Sequence, residues 1–315
     1  MKITSIKKKI SGRKIGLIGF GSIGKRHFKN LKKLNSKITI YDSRFSKISD
    51  LKYIYDNCED VFICSPLITH ENYLKKFMKL KKNIFIEKPF ILNTKKLSKK
   101  ILDYNKRKII YVGFNLRFRE IIKFIKKKLI NKTLGKIYWA NFMMSSYLPS
   151  WRKKYNFRNS YTNSKFYGGV LLDSIHELDL AEYFFGRSKL KSYFIENLNI
   201  LKIKSDEYAN IILKHENKVI SNIQLDYINK NKKRTIKICG SKKYLEADIS
   251  NGLLQIKEKK NNIKKFKLDN NKEYIEEIID FYRLIFEKKE NQNLTSNLNI
   301  HSIVSHIKKN SFKNL

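Results

Sequence analysis

Short apolar runs alternate with amphipathic stretches through the first third of the chain. The runs are rich in isoleucine, valine and aromatic residues and cover residues 14–19, 37–42, 60–65, 83–87 and 108–114. Helical periodicity covers residues 22–34, 70–81 and 94–105, whereas residues 43–57 are short for a full crossover. Strands that alternate with helices are typical of a parallel sheet covered on both faces. Residues 1–117 are therefore predicted to form a doubly wound α/β domain, with residues 1–12 as a basic arm.

The pattern changes to closely spaced strands after Phe118. A helix is predicted over residues 120–129, a strand over 136–146, an aromatic and basic loop over 147–167, and a helix after Gly168-Gly169. Five further strand-like runs cover residues 206–215, 218–227, 234–240, 244–249 and 253–258, and helices at 272–288 and 297–309 close the chain. Strands joined by short turns are typical of an antiparallel sheet. Residues 118–315 are predicted as a second α/β domain, whose terminal helix packs back on the first.

A glycine turn follows the first apolar run. Gly19, Gly21 and Gly24 form a Gly-x-Gly-x-x-Gly pattern, and Asp42 ends the next apolar run. The first glycine suits a tight turn, the second lets the backbone approach a pyrophosphate, and the third lets the helix pack against the sheet. The amides that open this helix face the phosphates, and the Asp42 carboxylate accepts from the ribose 2′-hydroxyl. This order predicts a dinucleotide site rather than an ordinary strand-to-helix turn.

The length and the cysteines limit the class of protein. A chain of 315 residues is long enough for two domains. Its three cysteines, Cys58, Cys64 and Cys239, form no Cys-x-x-Cys pair, which argues against a disulfide framework and against a metal site. No apolar stretch has the length of a signal peptide or a membrane span. The sequence therefore predicts a soluble, cytoplasmic protein with no membrane partner.

The formal net charge of +40 allows two interpretations. Lysine and arginine neutralise phosphates, so the chain could bind nucleic acid. The lysines are instead scattered along nearly all predicted helices and loops, without a zinc-finger spacing or an RNA-binding signature. A general lysine bias is favoured, with no specific nucleic-acid partner. The charge should attract a phosphate-bearing cofactor and a phosphorylated substrate.

Two polar segments end predicted strands of the first sheet. Cys64-Ser65-Pro66 ends the third run, with His70 soon after, and Glu87-Lys88-Pro89 ends the fourth. The carboxyl ends of parallel strands line the ligand crevice of a doubly wound sheet. A lysine held there can donate to a substrate hydroxyl or lower the pKa of a neighbouring base. The alternative, one more surface lysine in a lysine-rich chain, stays open.

Asp173 and His176 follow the Gly168-Gly169 break on a predicted apolar helix. Residues three apart lie on one helix face, so the carboxylate can hold the imidazole in one tautomer and support its protonation. A buried histidine with a purely structural role is the alternative. Asp179 lies further round the helix and is a weaker partner.

The glycine turn, Pro66-x-x-x-His70, Glu87-Lys88-Pro89 and the Gly-Gly, Asp and His helix occur in this order. Together they resemble the glucose–fructose oxidoreductase/inositol dehydrogenase (Gfo/Idh/MocA) family over nearly the whole chain. The resemblance implies a Rossmann domain and a second α/β domain with a large, mostly antiparallel sheet, through whose open face many members oligomerise. It also implies hydride transfer between NAD(P) and a sugar or cyclitol carbon.

The resemblance assigns roles to individual residues. Lys88 would contact the reacting hydroxyl, His176 would be the acid/base, and Asp173 would orient it or bind substrate. The residues expected to bind NAD are Gly19, Gly21, Ser22, Ile23, Gly24, Asp42, Ser65, Pro66, His70, Glu87 and Lys88. Asp42 favours NAD because a 2′-phosphate would meet like charge, whereas the nearby Arg44 keeps NADP open.

A closer likeness lies in residues 19–27, 113–118 and 146–152, which resemble members linked to nucleotide-sugar and surface-glycan biosynthesis. The broader family usually has three residues between the aspartate and the histidine, and this chain has two. Stacking rings and cationic groups mark a substrate site that includes Asp173 and His176, with Asn115, Arg117, Tyr147, Trp151, Arg152, Arg158 and Tyr161. The same side chains could equally pack a domain interface.

These inferences together predict an NAD(P)-dependent oxidoreductase that acts on a hydroxyl-bearing carbon of a sugar, nucleotide sugar or cyclitol. A homo-oligomer, dimer or tetramer, is expected. Three alternatives remain: a redox-neutral NAD-dependent sugar enzyme, a dinucleotide-binding protein without turnover, and a nucleic-acid binder.

Overall fold

The computed structural model describes residues 3–34, 36–92, 94–151, 156–257, 261–269 and 271–311. The chain divides into two compact units. The first comprises residues 1–115 and 270–301, and the second comprises residues 116–269 and 302–315. The first unit thus includes a segment from late in the sequence. The domain division after residue 117 stays a prediction.

The first unit contains a parallel five-stranded sheet with the strand order β2-β1-β3-β4-β5. Its first ten elements are α1 (Ile3–Ile10), β1 (Lys14–Ile18), α2 (Ser22–Lys32), β2 (Lys37–Tyr41), α3 (Ile48–Asn57), β3 (Asp60–Ile63), α4 (Leu67–Lys79), β4 (Asn83–Glu87), α5 (Thr94–Asn105) and β5 (Ile110–Gly113). Every residue of β3, β4 and β5 is buried, as expected for strands covered on both faces. The strand order reverses between β1 and β3, and ligands bind at the carboxyl ends of strands at such a switch point.

The second unit contains an eight-stranded sheet. Its elements are α6 (Glu120–Ile130), β6 (Ile137–Ser145), α7 (Val170–Asp173), α8 (His176–Phe185), β7 (Ser188–Glu196), β8 (Tyr208–His215), β9 (Ile220–Asp226), β10 (Lys233–Gly240), β11 (Tyr244–Asp248), β12 (Leu253–Lys257) and β13 (Asn261–Lys265). The strand order is β13-β12-β11-β10-β6-β9-β8-β7, antiparallel except between β6 and β9. Phe142 of β6 packs on Phe184 and Phe185 of α8, so the short helices cover one face of this sheet.

Two helices follow the second sheet in sequence, α9 (Lys272–Glu287) and α10 (Asn293–Ser311). Helix α9 belongs to the first unit, where Phe281 and Tyr282 join one apolar core with Ile6 and Ile10 of α1. Burial of one isoleucine side chain stabilises a fold by about 1.5–3 kcal/mol, so α1 contributes substantially to this unit. No helix within the described ranges is long and apolar enough to cross a membrane.

The structure confirms the fold class, a parallel Rossmann sheet with a large, mostly antiparallel sheet, and corrects several local predictions. Residues 3–10 form a helix rather than an arm, because Ile6 and Ile10 lie one turn apart and are buried. Residues 43–57 hold a full helix, α3, whose Ile54 packs against Gly16. The edge strands β7 and β13 were not predicted, since edge strands are half-exposed and carry many lysines.

Candidate active site

The glycine turn lies at the carboxyl end of β1. Gly19 has a φ of +89°, and a Cβ there would lie 2.7 Å from the backbone of Ser65. A Cβ on Gly24 would overlap the carbonyl oxygen of Gly19, whereas a Cβ on Gly21 would meet no atom within 4 Å. Chain geometry therefore requires the first and third glycines but not the second. Packing within the described residues does not account for the glycine at position 21, and the open space beside it leaves room for a ligand to approach.

Asp42 lies just after β2 and binds the glycine turn. Its Oδ2 accepts from the backbone N–H of Phe20 at 2.7 Å. Both carboxylate oxygens also accept from the Arg44 side chain, Oδ1 from Nε and Oδ2 from Nη2, each at 2.7 Å. The Arg44 guanidinium and the Phe20 amide hold the pKa of Asp42 well below its usual range. Asp42 is therefore an ionised acceptor beside the turn.

The residues around this turn fit a dinucleotide. Gly21 is the N-cap of α2, and no side chain caps the first amides, which leaves the helix N-terminus open to an anion. Ser22 and Ile23 are its first two helical residues. The open space beside Gly21 would receive the pyrophosphate, and the Asp42 carboxylate lies at the end of β2 that suits a ribose.

His70 holds the ends of two strands together. Its Nδ1 lies 2.9 Å from the carbonyl oxygens of Pro89 and of Phe90, and its Nε2 lies 2.8 Å from that of Ser65. The imidazole is buried, and burial lowers its pKa despite these hydrogen bonds. The Ser65 hydroxyl is hydrogen-bonded to Thr69 at 2.7 Å, and Pro66 precedes α4. His70 thus positions residues 65–66 and 89–90.

Glu87, Lys88 and Pro89 end β4, and the Lys88–Pro89 peptide is cis. Glu87 Oε1 is hydrogen-bonded to Nε2 of the buried His27 at 2.6 Å. His27 packs edge-on against Phe85, with 5.0 Å between the ring centroids. A buried partner on α2 therefore fixes the strand end from which the half-buried Lys88 projects.

Asp173 and His176 lie in the second unit at a break between two helices. The sequence predicts one continuous helix here, and that prediction is wrong: α7 ends at Asp173, and α8 begins at His176. Ser174 leaves the helical region with a φ of −102°, and its hydroxyl contacts Met144. The argument that Asp173 and His176 share a helix face therefore does not hold, although both side chains are nearly buried.

Tyr227 holds Asp173. Its hydroxyl donates to Asp173 Oδ2 at 2.5 Å, and burial together with this carboxylate raises the pKa of Tyr227 well above its usual value. The phenol therefore stays protonated and donates to Asp173 throughout the physiological pH range. Asp173 is an oriented acceptor three residues before His176.

Buried ion pairs fix the start of α8. Arg117 binds Asp179 through two hydrogen bonds, from Nε at 2.8 Å and from Nη2 at 2.5 Å. Arg234 Nε binds Glu177 Oε1 at 2.7 Å. Such paired contacts give planar, directional recognition. Arg117, expected to bind substrate, is buried in a pair that orients α8.

The Gly168-Gly169 break fits against a second buried pair. A Cβ on Gly168 would overlap the backbone oxygens of residues 161 and 162, and one on Gly169, where φ is +98°, would overlap the Asp206 carboxylate. Lys308 Nζ pairs with Asp206 and donates to the Gly168 carbonyl at 2.6 Å. Asp206 also accepts from the Leu171 amide at 2.8 Å. This cluster sets where α7 begins.

The remaining expected substrate residues are dispersed. Trp151 Nε1 donates to Ser146, Arg158 Nε donates to the Leu201 carbonyl, and Asn115 belongs to the first unit and donates to Glu273. Tyr147 precedes a short 3-10 turn, and Tyr161 lies exposed in another. Arg152 lies outside the described residues. Their substrate contacts stay predictions.

Sequence reasoning missed His27, Tyr227 and Arg234. Each acts through a partner 54 to 60 positions away, at Glu87, Asp173 and Glu177 respectively. Tyr227 is one of 18 tyrosines, so its type alone carried no signal. Among the residues that the structure describes, no cluster of three His, Cys, Asp or Glu side chains could hold a metal ion.

Two family models match the chain. Residues 13–114 match the oxidoreductase family with an NAD-binding Rossmann fold, and residues 122–246 match the GFO/IDH/MocA C-terminal domain. Together these matches span most of the sequence, and they correspond to the two sheets.

Inositol dehydrogenases are among the similar curated proteins. The chain is 30% identical over 192 residues to myo-inositol 2-dehydrogenase of Thermotoga maritima, covering 55% of each chain. It is 26% identical over 191 residues to inositol 2-dehydrogenase of Rhizobium meliloti, again over 55% of each. The matched region thus spans about half the length of these curated relatives.

Solved structures share the fold over nearly the full chain. Levoglucosan dehydrogenase in complex with NADH and levoglucosan superposes with a TM-score of 0.81, at 18% identity, covering 96% of this chain and 98% of that one. UDP-N-acetylglucosamine 3-dehydrogenase from Acidithiobacillus ferrooxidans gives 0.75 at 16% identity, covering 94% and 97%.

Proposed function

Because the chain belongs to the Gfo/Idh/MocA family of oxidoreductases, we propose that it is an NAD-dependent dehydrogenase acting on a hydroxyl-bearing carbon of a sugar, nucleotide sugar or cyclitol. The observation that carries the proposal is Gly21, where a side chain would meet no protein atom although the position is a glycine. The substrate class is supported by the similar proteins, whose names give inositol, levoglucosan and UDP-N-acetylglucosamine as substrates.

The first unit would hold the cofactor. The amides of Ser22 and Ile23, at the uncapped start of α2, would bind the pyrophosphate beside Gly21, and the Asp42 carboxylate would accept from the ribose. NAD supplies a hydride acceptor at its nicotinamide. Ser65, Pro66 and Glu87 contribute as parts of the strand ends that His70 and His27 hold in place.

The second unit supplies the residues for proton transfer. His176 takes the proton of the substrate hydroxyl as general base, and it returns this proton in the reverse direction. Asp173, fixed by Tyr227, orients the imidazole or binds a neighbouring substrate hydroxyl. Lys88 donates to the reacting oxygen and stabilises the charge that develops there.

We also place this enzyme in nucleotide-sugar chemistry for surface glycans, as a homo-oligomer. The likeness of residues 19–27, 113–118 and 146–152 to members of that pathway class supports a role in nucleotide-sugar chemistry. The homo-oligomer is supported by exposed apolar side chains on the face of the second sheet opposite α7 and α8; they are Trp139, Phe194, Ile220, Leu253 and Ile263.

The test is nicotinamide absorbance with NAD and a panel of nucleotide sugars, sugars and inositols. Growth of the reduced-nicotinamide band with one panel member supports a dehydrogenase and identifies its substrate class. General-base catalysis is typically worth ~10²–10⁴ in rate, so His176→Ala should lose that much while retaining NADH affinity.

The exposed His306 provides the matched control, since His306→Ala removes a histidine far along α10 and should leave turnover unchanged. Wild-type turnover in His176→Ala would remove His176 from this role. NADH binding without reduction of any panel member would favour a redox-neutral enzyme or a non-catalytic binder instead.

A further inference from the structure

A basic cavity of about 480 Å³ lies at the end of the second sheet where strand β6 finishes and strand β10 begins. Its lining combines three consecutive cations with three serines, a methionine and an indole: Lys232, Lys233, Arg234, Ser145, Ser146, Ser150, Met144 and Trp151. All of these belong to the second unit. The glycine turn, the Glu87–Pro89 segment and the Asp173–His176 break do not account for the three cations.

Positive charge in this cavity exceeds the negative charge around it. Arg234 is paired with Glu177, and the carboxylate of Asp226 accepts from Ser145 and from the backbone amides of Ile228 and Asn229. No described carboxylate lies within ion-pair distance of Lys232 or Lys233. Partial desolvation and the neighbouring cations Arg234 and Arg119 lower the pKa of Lys232. A bound anion would relieve this repulsion.

The hydroxyls and the indole add directional contacts. Ser146 Oγ accepts from Trp151 Nε1 at 2.6 Å, and its own proton can be donated to a ligand. Ser150 Oγ donates to the Tyr147 carbonyl at 2.7 Å, which leaves its lone pairs as acceptors. Trp151 is 38% exposed, so one side of its ring is accessible to a ligand.

The cavity wall is connected to the residues proposed for proton transfer. Trp151 packs edge-on against Tyr227 with 5.4 Å between ring centroids, and Tyr227 donates to Asp173. Arg234 binds Glu177, the residue after His176. These contacts connect the cavity wall to both sides of the Asp173–His176 break within the second unit.

We propose that this cavity is a subsite for the phosphate groups of the substrate, which makes that substrate a phosphorylated or nucleoside-diphosphate sugar. The inference rests on the proposed function and narrows its substrate class. A diphosphate matches two unpaired lysines in charge, offers oxygens to the Ser146 hydroxyl, and needs more room than a single carboxylate. An uncharged cyclitol would leave the lysines without a partner.

Trp151 provides a binding test that needs no turnover. The chain has two tryptophans, so Trp139→Phe leaves Trp151 as the only one. Inorganic pyrophosphate at constant ionic strength should change its fluorescence with a saturable dependence. Glucuronate and chloride should not. Saturation by glucuronate alone would overturn the phosphate assignment, and no saturable response to any anion would overturn the site.

Charge removal tests the two lysines. In the single-tryptophan background, Lys232→Gln with Lys233→Gln should weaken pyrophosphate binding at least tenfold. The matched control, Lys189→Gln with Lys191→Gln on exposed positions of β7, removes the same charge elsewhere and should leave binding unchanged. Equal weakening in both variants would show a general effect of net charge and overturn the subsite.

The kinetic test separates this inference from the proposed function. With a nucleotide sugar as substrate, Lys232→Gln with Lys233→Gln should raise KM about tenfold and leave kcat nearly unchanged. With the corresponding uncharged sugar, KM should not change. Equal effects on both substrates overturn the subsite. Absence of turnover in the wild type contradicts the proposed function, while the fluorescence titration still decides whether the cavity binds phosphate.

Discussion

Gly21 and Gly24 belong to the same turn, but the physical reason for having glycine differs between the two positions. At Gly24 a methyl group would overlap the Gly19 carbonyl, so the close packing of α2 on β1 requires glycine. At Gly21 a methyl group would enter open space, so packing does not require glycine there. Gly24→Ala therefore tests the packing of the fold, and Gly21→Ala tests the binding of the cofactor.

Gly21→Ala should keep the fold and lose the cofactor. Loss of a glycine N-cap should change the free energy of unfolding by less than about 1 kcal/mol, whereas affinity for NADH should fall at least tenfold because the added methyl group blocks the pyrophosphate. Urea unfolding and an NADH fluorescence titration measure the two quantities. Gly24→Ala is the contrast, with a large loss of stability. Unchanged NADH affinity in a folded Gly21→Ala protein would contradict the site.

Arg44 should set the preference between the two nicotinamide cofactors. Its guanidinium occupies both oxygens of Asp42, and its side chain is largely exposed. A 2′-phosphate could take this guanidinium from Asp42, whereas a ribose hydroxyl needs the carboxylate itself.

Arg44→Ala should therefore retain or improve NADH affinity and weaken NADPH affinity about tenfold, the amount that corresponds to ~1.4 kcal/mol. The ratio of the two Kd values measures this effect and is independent of small losses in stability. An unchanged ratio would show that Arg44 does not contribute to cofactor choice.

Among the elements, α10 places a buried histidine against the strand-end loop of the first unit. His301 Nε2 accepts from the Phe90 amide at 2.7 Å, and Nδ1 donates to the Asn297 carbonyl at 2.6 Å. These contacts require a neutral imidazole. Burial, with a smaller contribution from His70, lowers the pKa of His301 to about 4.

This histidine makes the first unit sensitive to acid. The unfolded chain takes up a proton near pH 6.5 and the folded chain only near pH 4, so stability should fall as pH decreases across this window. The expected slope for one such proton is about 1.4 kcal/mol per pH unit. Urea unfolding at pH 7 and pH 5 should show a smaller loss in His301→Gln than in the wild type, although that variant begins less stable. An equal loss in both would contradict the assignment.

The elements also show what the sequence could reveal. Three features were predictable because the residues that define each of them are neighbours in the sequence. They are the glycine turn, the Glu87–Pro89 segment and the five parallel strands. The break between α7 and α8 was not, since the apolar periodicity continues through residues 170–181 while Ser174 turns towards β6. The pair of Lys308 and Asp206 joins positions 102 residues apart, and nothing local marks it.

On the scale of the whole molecule, α7 and α8 cover one face of the second sheet, and none of the described helices packs on the face that carries the exposed Trp139, Phe194 and Ile220. The register places Phe194 in the same row as Met143 and Leu253, and Trp139 in the same row as Ile220. Trp139 and Ile220 are direct neighbours and both are exposed, and exposed apolar patches commonly mark a protein interface. A second copy of the chain is the partner proposed above.

Phe194→Asp with Ile220→Asp should convert the oligomer to a monomer, because each buries a charge in the interface. Light scattering after size exclusion measures the mass of wild type and variant. Ile48→Asp, at a highly exposed position of α3, is the control and should leave the mass unchanged. A wild type that is monomeric at micromolar concentration would contradict the proposed oligomer.

The packing of α1 on α9 has a consequence for biosynthesis. Residues 1–115 of the first unit leave the ribosome before residues 270–301 of the same unit, so its core is complete only when Phe281 and Tyr282 have emerged. Until then Ile6, Ile10 and the neighbouring strands lack their partner, and nascent chains with exposed apolar surface are prone to aggregate. All strands of the second sheet are synthesised in that interval. A nonsense change just before α9 should therefore destroy the nucleotide-binding unit, although it falls after the whole of the second sheet in sequence.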